Sequence, residues 1–156
     1  VYLPGGYPEL YLAALSANRQ MLQSIRRYVE SGGKLLAECG GMMYLCDEIR
    51  DKNGDVYPMA GVLHQSATME NMKLRLGYRT LLYNETRLKG HEFHYSRLVE
   101  QQNPLPSCAV AYTAKGVETD TPLYHYKNVW AGYTHLYWAD PVGNEWFTKF
   151  VIDGNT

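Results

Sequence analysis

The run Leu35-Leu36-Ala37-Glu38 stops abruptly on Cys39-Gly40-Gly41 and gives way to helical spacing from Met42 to Ile49. A short, unbroken apolar segment of this kind suits a parallel strand covered on both faces. Parallel strands need crossover connections, usually helical, so the chain is expected to fold as an α/β unit. Upstream, Val1-Tyr2-Leu3 reads as the tail of a strand running into Pro4-Gly5-Gly6. Leu12, Leu15, Met21, Leu22, Ile25 and Val29 then recur near helical spacing between Pro8 and Glu30, and Ser31-Gly32-Gly33 ends that run.

Strand-like alternation follows in 74–81 and 91–96, Pro104 and Pro106 mark a loop, and 109–114 and 129–134 read as further strands, the last delivering His135 at its end. Pro141 to Ile152 is expected to close the chain as a helix with Trp146, Phe147 and Phe150 on its apolar side. No repeat, low-complexity stretch or linker interrupts residues 1–156, so one domain is expected. A start at Val1, on what reads as a strand tail, suggests an excised piece.

Fifteen Lys+Arg against sixteen Asp+Glu, without a basic cluster, leave no electrostatic footprint for nucleic acid. No apolar run approaches the ~20 residues that span a bilayer, and no leader pattern opens the chain, so no membrane association is expected. Cys39, Cys46 and Cys108 are odd in number and unrelated in spacing. That argues against a disulfide framework or a paired zinc knuckle and for a reducing compartment, the cytoplasm.

The turn at Cys39 carries the chemistry. A thiol at the head of a helix is exposed to partial positive charge and free N–H groups, which favour the thiolate that attacks carbonyl carbon. Gly40 and Gly41 let the backbone bend and a substrate approach the Gly40 amide, a donor for a developing oxyanion. This is the cysteine counterpart of the serine elbow of α/β-hydrolases. The competing reading is packing, since cysteine is among the most buried residue types. Cys46 and Cys108 are expected to be structural.

A thiolate nucleophile needs an imidazole, and His135 is the first candidate, because in a parallel sheet it emerges on the carboxyl edge beside Cys39. His91 and His94, three apart on an extended segment, fall on opposite faces, so at most one faces the pocket. For His64 and His125 a plain hydrogen-bonding role is the simpler reading. His91-Glu92-Phe93-His94 is not a zinc-protease motif, which needs i, i+4 spacing on a helix, and no other metal ligand set is evident. No phosphate-binding G-x-x-x-x-G-K-[ST] loop occurs.

Five segments in this order, Leu3-Pro4-Gly5-Gly6-Tyr7-Pro8-Glu9, Ala37-Glu38-Cys39-Gly40-Gly41-Met42-Met43-Tyr44-Leu45, Leu76-Gly77-Tyr78-Arg79, Gly90-His91-Glu92-Phe93-His94-Tyr95-Ser96 and Gly132-Tyr133-Thr134-His135-Leu136-Tyr137-Trp138, resemble the C-terminal glutaminase domain of cobyrinic acid a,c-diamide synthases. These are class I glutamine amidotransferases of cobalamin biosynthesis. The resemblance implies a flavodoxin-like α/β domain with a mostly parallel sheet. In it Cys39 attacks the side-chain amide of L-glutamine, forms a γ-glutamyl thioester and releases ammonia, with His135 as paired base and acid. It also implies an oxyanion hole of backbone amides near Gly6 and Gly40, Gly5 among the substrate-binding residues, and glutamine held with the help of the strand carrying His94, Tyr95 and Ser96. No cofactor belongs to this domain. In whole family members an N-terminal domain binds ATP and Mg²⁺, activates the a and c carboxylates of the corrinoid and receives the ammonia.

Two departures stand out. Many class I glutaminases place Glu two positions after the catalytic His, where this chain has Tyr137 and this branch more often His, so the third triad member is missing or replaced. The family domain also has a strand and a helix before the position of Val1, so a sheet edge is expected to lie open to another chain, as in a homodimer. The alternatives are the same half-reaction serving another acceptor (cobyric acid synthesis, a nickel tetrapyrrole or a cell-wall precursor), a non-catalytic docking module with a tyrosine-rich face, and a peptide-cleaving cysteine hydrolase.

Overall fold

The computed structural model describes residues 1–152. The chain runs β1 (Tyr2–Leu3), a 3-10 turn (Pro8–Leu10), α1 (Leu12–Ala17), α2 (Arg19–Glu30), β2 (Leu35–Glu38), α3 (Gly40–Leu45), β3 (Glu48–Arg50), β4 (Val56–Pro58) and β5 (Ser66–Thr68). It continues through β6 (Arg75–Tyr83), β7 (Thr86–His94), β8 (Arg97–Leu98), β9 (Val110–Thr113), β10 (Glu118–Thr119), β11 (Leu123–Tyr126), β12 (Val129–Gly132), β13 (His135–Leu136) and α4 (Pro141–Ile152).

All four residues of β2 are buried, as their apolar run requires. β2 lies between β1 and β12, parallel to both, and β11 completes this sheet antiparallel to β12. Side chains alternate across it. Leu35, Ala37, Val129 and Ala131 join the core that includes Leu22 and Val29 of α2 and Met42, Met43 and Leu45 of α3, whereas Leu36 and Trp130 join Leu81, Leu88, Trp146 and Phe150 on the other face. The sheet is thus covered on both sides, the doubly packed α/β arrangement expected from the sequence.

A mostly parallel sheet describes only these four strands. The largest sheet, β10-β9-β6-β7-β13, is antiparallel throughout, and a third, β4-β3-β5-β8, is mixed. The cause lies in a tight hairpin: Asn84 and Glu85 both take positive φ, 43° and 65°, the geometry that joins two twisted antiparallel strands through two residues.

Helix boundaries also differ from the spacing-based expectation. The segment from Pro8 to Glu30 is three pieces, because Asn18 leaves helical geometry (ψ 61°) and its side chain accepts a hydrogen bond from the Met21 amide, capping α2. The helix expected over Met42 to Ile49 stops at Leu45. Cys46 is extended and Ile49 sits in β3, buried between half-buried Glu48 and Arg50. Among the described residues no helix is long and apolar enough to cross a membrane.

Candidate active site

Cys39 joins β2 to α3 with φ 47° and ψ −110°, a strained conformation for a residue with a side chain. Its amide donates to the Gly132 carbonyl at 2.8 Å, extending the β2–β12 pairing, and its own carbonyl accepts from Met43 at 3.0 Å inside α3. The turn is therefore pinned at both ends. The bend holds because β1 and the loop after it press against it: a Cβ on Gly40 would stand 2.5 Å from the Gly6 carbonyl oxygen, and one on Gly41 would stand 2.3 Å from that of Leu3.

His135 does not end β12. That strand stops at Gly132, and Tyr133-Thr134 carry the chain into β13, where His135 pairs with His91 of β7 and Leu136 with Gly90. His135 thus stands where the parallel and antiparallel sheets meet. Gly5 closes on its ring edge, since a Cβ there would lie 2.1 Å from Cε1. The loop holding Gly5 and Gly6 is accordingly wedged between the elbow and the imidazole, and Cys39, Gly40, Gly5, Gly6 and His135 form one constellation.

Cys39 is only 4% exposed, and its thiol donates to the Phe93 carbonyl at 3.8 Å. Among the described residues no hydrogen bond joins it to His135. Burial pushes the thiol up to about 11; the Gly40 N–H opposes this, and the Glu9, Glu92 and Glu38 carboxylates add to it. The helix head expected to favour a thiolate is short, six residues, and works against desolvation and nearby carboxylates. The His135 imidazole is held below its ordinary range, first by burial and then by the neighbouring His91 and His94.

Glu38, one residue before Cys39, is buried. Its Oε1 accepts from the Leu136 amide at 3.0 Å, its Oε2 accepts from the Tyr2 hydroxyl at 2.7 Å, and Oε2 stands 3.9 Å from His135 Nδ1. Burial raises this carboxyl while those two hydrogen bonds oppose the rise. The Tyr2 hydroxyl is pushed up to about 12 by burial and by Glu38. The sequence reading overlooked Glu38, whose one signal was a charged residue ending an otherwise apolar strand.

Of the three residues expected to hold glutamine, two converge. His94 is buried with its ring stacked on Tyr133, centroids 3.7 Å apart, and Nδ1 lies 2.9 Å from the Ser96 carbonyl, which assigns the proton to that nitrogen. Ser96 Oγ lies 2.9 Å from the Tyr133 hydroxyl. Tyr95 turns outward, edge-on to Phe93, and does not join them. Tyr95 and Ser96 also lie beyond the end of β7 rather than within the strand.

His94 and Tyr133 line a cleft of about 230 Å³ with Arg75, Glu92, Arg97 and Asp120. Glu92, fully buried, pairs with Arg79 at 2.8 Å and stands 4.0 Å from His94 Nε2 through the same oxygen, while its Oε1 and His94 Nε2 have no hydrogen-bond partner. Burial holds the His94 imidazole below its ordinary range. Glu92 was also missed, being one charge in an alternating strand. His91 and His94 do take opposite faces of β7: His91 stacks on His135, centroids 5.0 Å apart. His64 pairs with Asp47 at 3.4 Å and His125 stacks on Trp130. Cys46 and Cys108 bond to the Met42 and Leu123 carbonyls, as structural thiols would. Among the described residues no cluster of three or more His, Cys, Asp or Glu side chains is placed to hold a metal.

A strained cysteine elbow on a parallel strand, beside a glycine loop and an imidazole, marks an α/β domain with its candidate site at a strand-to-helix turn. Residues 1–142 match the CobB/CobQ-like glutamine amidotransferase domain, and the chain belongs to that family. It is 38% identical over 143 residues to the hydrogenobyrinate a,c-diamide synthase of Stutzerimonas stutzeri, covering 91% of this chain and 33% of that protein. The cobyrinate a,c-diamide synthase of Fusobacterium nucleatum is 38% identical over 145 residues, 88% of this chain and 31% of its own length. The chain therefore spans about a third of the curated relatives it matches. A crystal structure of a glutamine amidotransferase shares the fold, with a TM-score of 0.61 at 18% identity over 96% of this chain and 77% of that one.

Proposed function

We propose that this chain hydrolyses the side-chain amide of L-glutamine and delivers the ammonia to a corrinoid carboxylate. The observation that carries the reading is the joint approach of Gly5 to His135 and of Gly6 to Gly40 around the strained Cys39. In the reaction, Cys39 Sγ adds to the glutamine carboxamide carbon as its proton passes to His135. The amides of Gly6 and Gly40 are assigned to receive the oxyanion. His135 then returns the proton to the departing nitrogen, ammonia leaves, and water hydrolyses the γ-glutamyl thioester to glutamate and free thiol. His94 and Ser96, held by Tyr133, form one wall of the glutamine site.

The acceptor follows from the relatives' names, which divide between cobyrinate and hydrogenobyrinate. Both point to the a and c carboxylates of a corrinoid ring. Activating them by ATP and Mg²⁺ is assigned to the remaining two-thirds of such synthases, since this chain holds no phosphate-binding loop. Its three free cysteines suit a reducing cytoplasm. The deciding experiment follows glutamate release and corrinoid amidation by the full-length protein with ATP, Mg²⁺, glutamine and each acceptor. Cys39→Ala should abolish glutamine-dependent amidation and glutamate release while leaving amidation from added ammonia. Equal glutamate release by wild type and variant overturns the reading.

A second reading, a non-catalytic docking module, draws on the depth of the Cys39 thiol. Glutamine-protectable alkylation of Cys39 would exclude it.

A further inference from the structure

We propose that Glu38 is the positioning carboxylate for His135, taking the place left open where Tyr137 stands two residues after the imidazole. The inference rests on the glutaminase reading above. The surroundings of His135 leave one role for each neighbour. His91 of β7 lies flat against the ring, Gly5 closes on Cε1, and Tyr137 leans on His91 with centroids 5.7 Å apart. None of these accepts a proton bond at Nδ1. The Glu38 carboxylate faces that nitrogen at 3.9 Å, an ion-pair distance of the kind that tightens to a hydrogen bond when a catalytic complex forms.

Glu38 is fixed for the task. The Leu136 amide, next to His135 in sequence, holds Oε1, and the Tyr2 hydroxyl from β1 holds Oε2. The carboxylate at the end of β2 is therefore tied to β13, the two-residue strand that carries the imidazole. An anion at Nδ1 keeps the proton on that nitrogen, leaves Nε2 bare for the Cys39 proton, and stabilises the imidazolium that forms. Because Glu38 directly precedes Cys39, nucleophile and orienting acid are set by one strand end. The other titratable groups that act on His135 are His91, stacked on it, and His94, on the opposite face of β7, both of which oppose its protonation.

The test is Glu38→Gln in the full-length chain, which keeps a carbonyl acceptor for the Leu136 amide, turns an NH2 donor toward the Tyr2 hydroxyl oxygen and removes the charge. kcat/KM for glutamine hydrolysis should fall roughly 10²- to 10⁴-fold. The His135 pKa, read by imidazole NMR, should drop by roughly one unit, moving the acid limb of the pH profile the same way. Glu38→Asp should recover part of the rate. An unchanged His135 pKa with kcat/KM within twofold of wild type overturns the proposal. Should Glu38→Gln fail to fold, the wild-type chain decides: an Nδ1-protonated His135 whose titration is mirrored at the Glu38 carboxyl carbon supports the assignment, and an Nε2-protonated ring overturns it. If wild type releases no glutamate the glutaminase reading fails, while the NMR arm still decides for or against Glu38.

Discussion

Gly5 lies against the edge of the His135 ring so closely that a Cβ would stand 2.1 Å from Cε1, while a Cβ on Gly6 would meet nothing within 4 Å. Neighbouring glycines thus have opposite tolerance. Gly5→Ala should displace the imidazole and lower glutamine hydrolysis by at least roughly tenfold, because small misplacements of a reacting group cost orders of magnitude. Gly6→Ala, which keeps its backbone N–H, should retain wild-type stability within about 0.5 kcal/mol. Steady-state kinetics and urea melts on the pair check both; equal effects would remove the proposed wedge.

These contacts mark what local pattern discloses and what it hides. The elbow at Cys39 was legible because its causes are adjacent in sequence: an apolar strand, two glycines and a helix. His135 was legible as a residue but not in place, since its position depends on pairing with His91 across a sheet that no local spacing announces. Glu38 and Glu92 were invisible for a related reason. Each is a single charge in a strand-like segment, and only the fold shows that its partner is Leu136, Tyr2 or Arg79. The broken helix at Asn18 shows the reverse, a local cap overriding a spacing that continued beyond it.

His91 stacks on His135, and charge on the His91 ring works against protonation of His135. His91→Phe keeps the stack and removes the charge. The His135 pKa should rise toward its ordinary value, and the acid limb of the glutaminase pH profile should move to higher pH with it. NMR titration of wild type and variant reads the shift directly; a limb that stays put would assign it to another group.

Cys39, with its thiol pushed up to about 11, should alkylate slowly. At pH 7 its thiolate fraction is on the order of 10⁻⁴, against a few per cent for an unperturbed thiol. Iodoacetamide labelling followed by mass spectrometry should show a rate still climbing at pH 9. Glu92→Gln, which removes one nearby carboxylate, should quicken labelling at fixed pH. A plateau below pH 8 would show that the thiolate is stabilised in the resting protein after all.

Burial holds His94, His125 and His135 below the ordinary imidazole range, and stability follows from the sign of that shift. Above the unfolded value of about 6.5 all three are neutral in both states and contribute no pH dependence. As pH falls through that value the unfolded chain takes up protons that the folded chain refuses, so folding stability declines until the folded groups also titrate. Urea midpoints should therefore drop between pH 7 and pH 5.5, and His94→Gln should flatten the decline.

Arg79 and Glu92 meet at 2.8 Å with side chains only 11% and 1% exposed, so neither charge has water to fall back on. Glu92→Leu leaves the guanidinium buried without its partner and should cost about 3–5 kcal/mol in chemical denaturation. Arg79→Leu with Glu92→Leu removes both charges and should recover most of that loss, because apolar replacement of a buried pair is often close to neutral. The double-mutant cycle separates the pair from the site it borders. Strict additivity of the two single changes would mean that Arg79 and Glu92 act independently, and the wall of the cleft at His94 would then need another support.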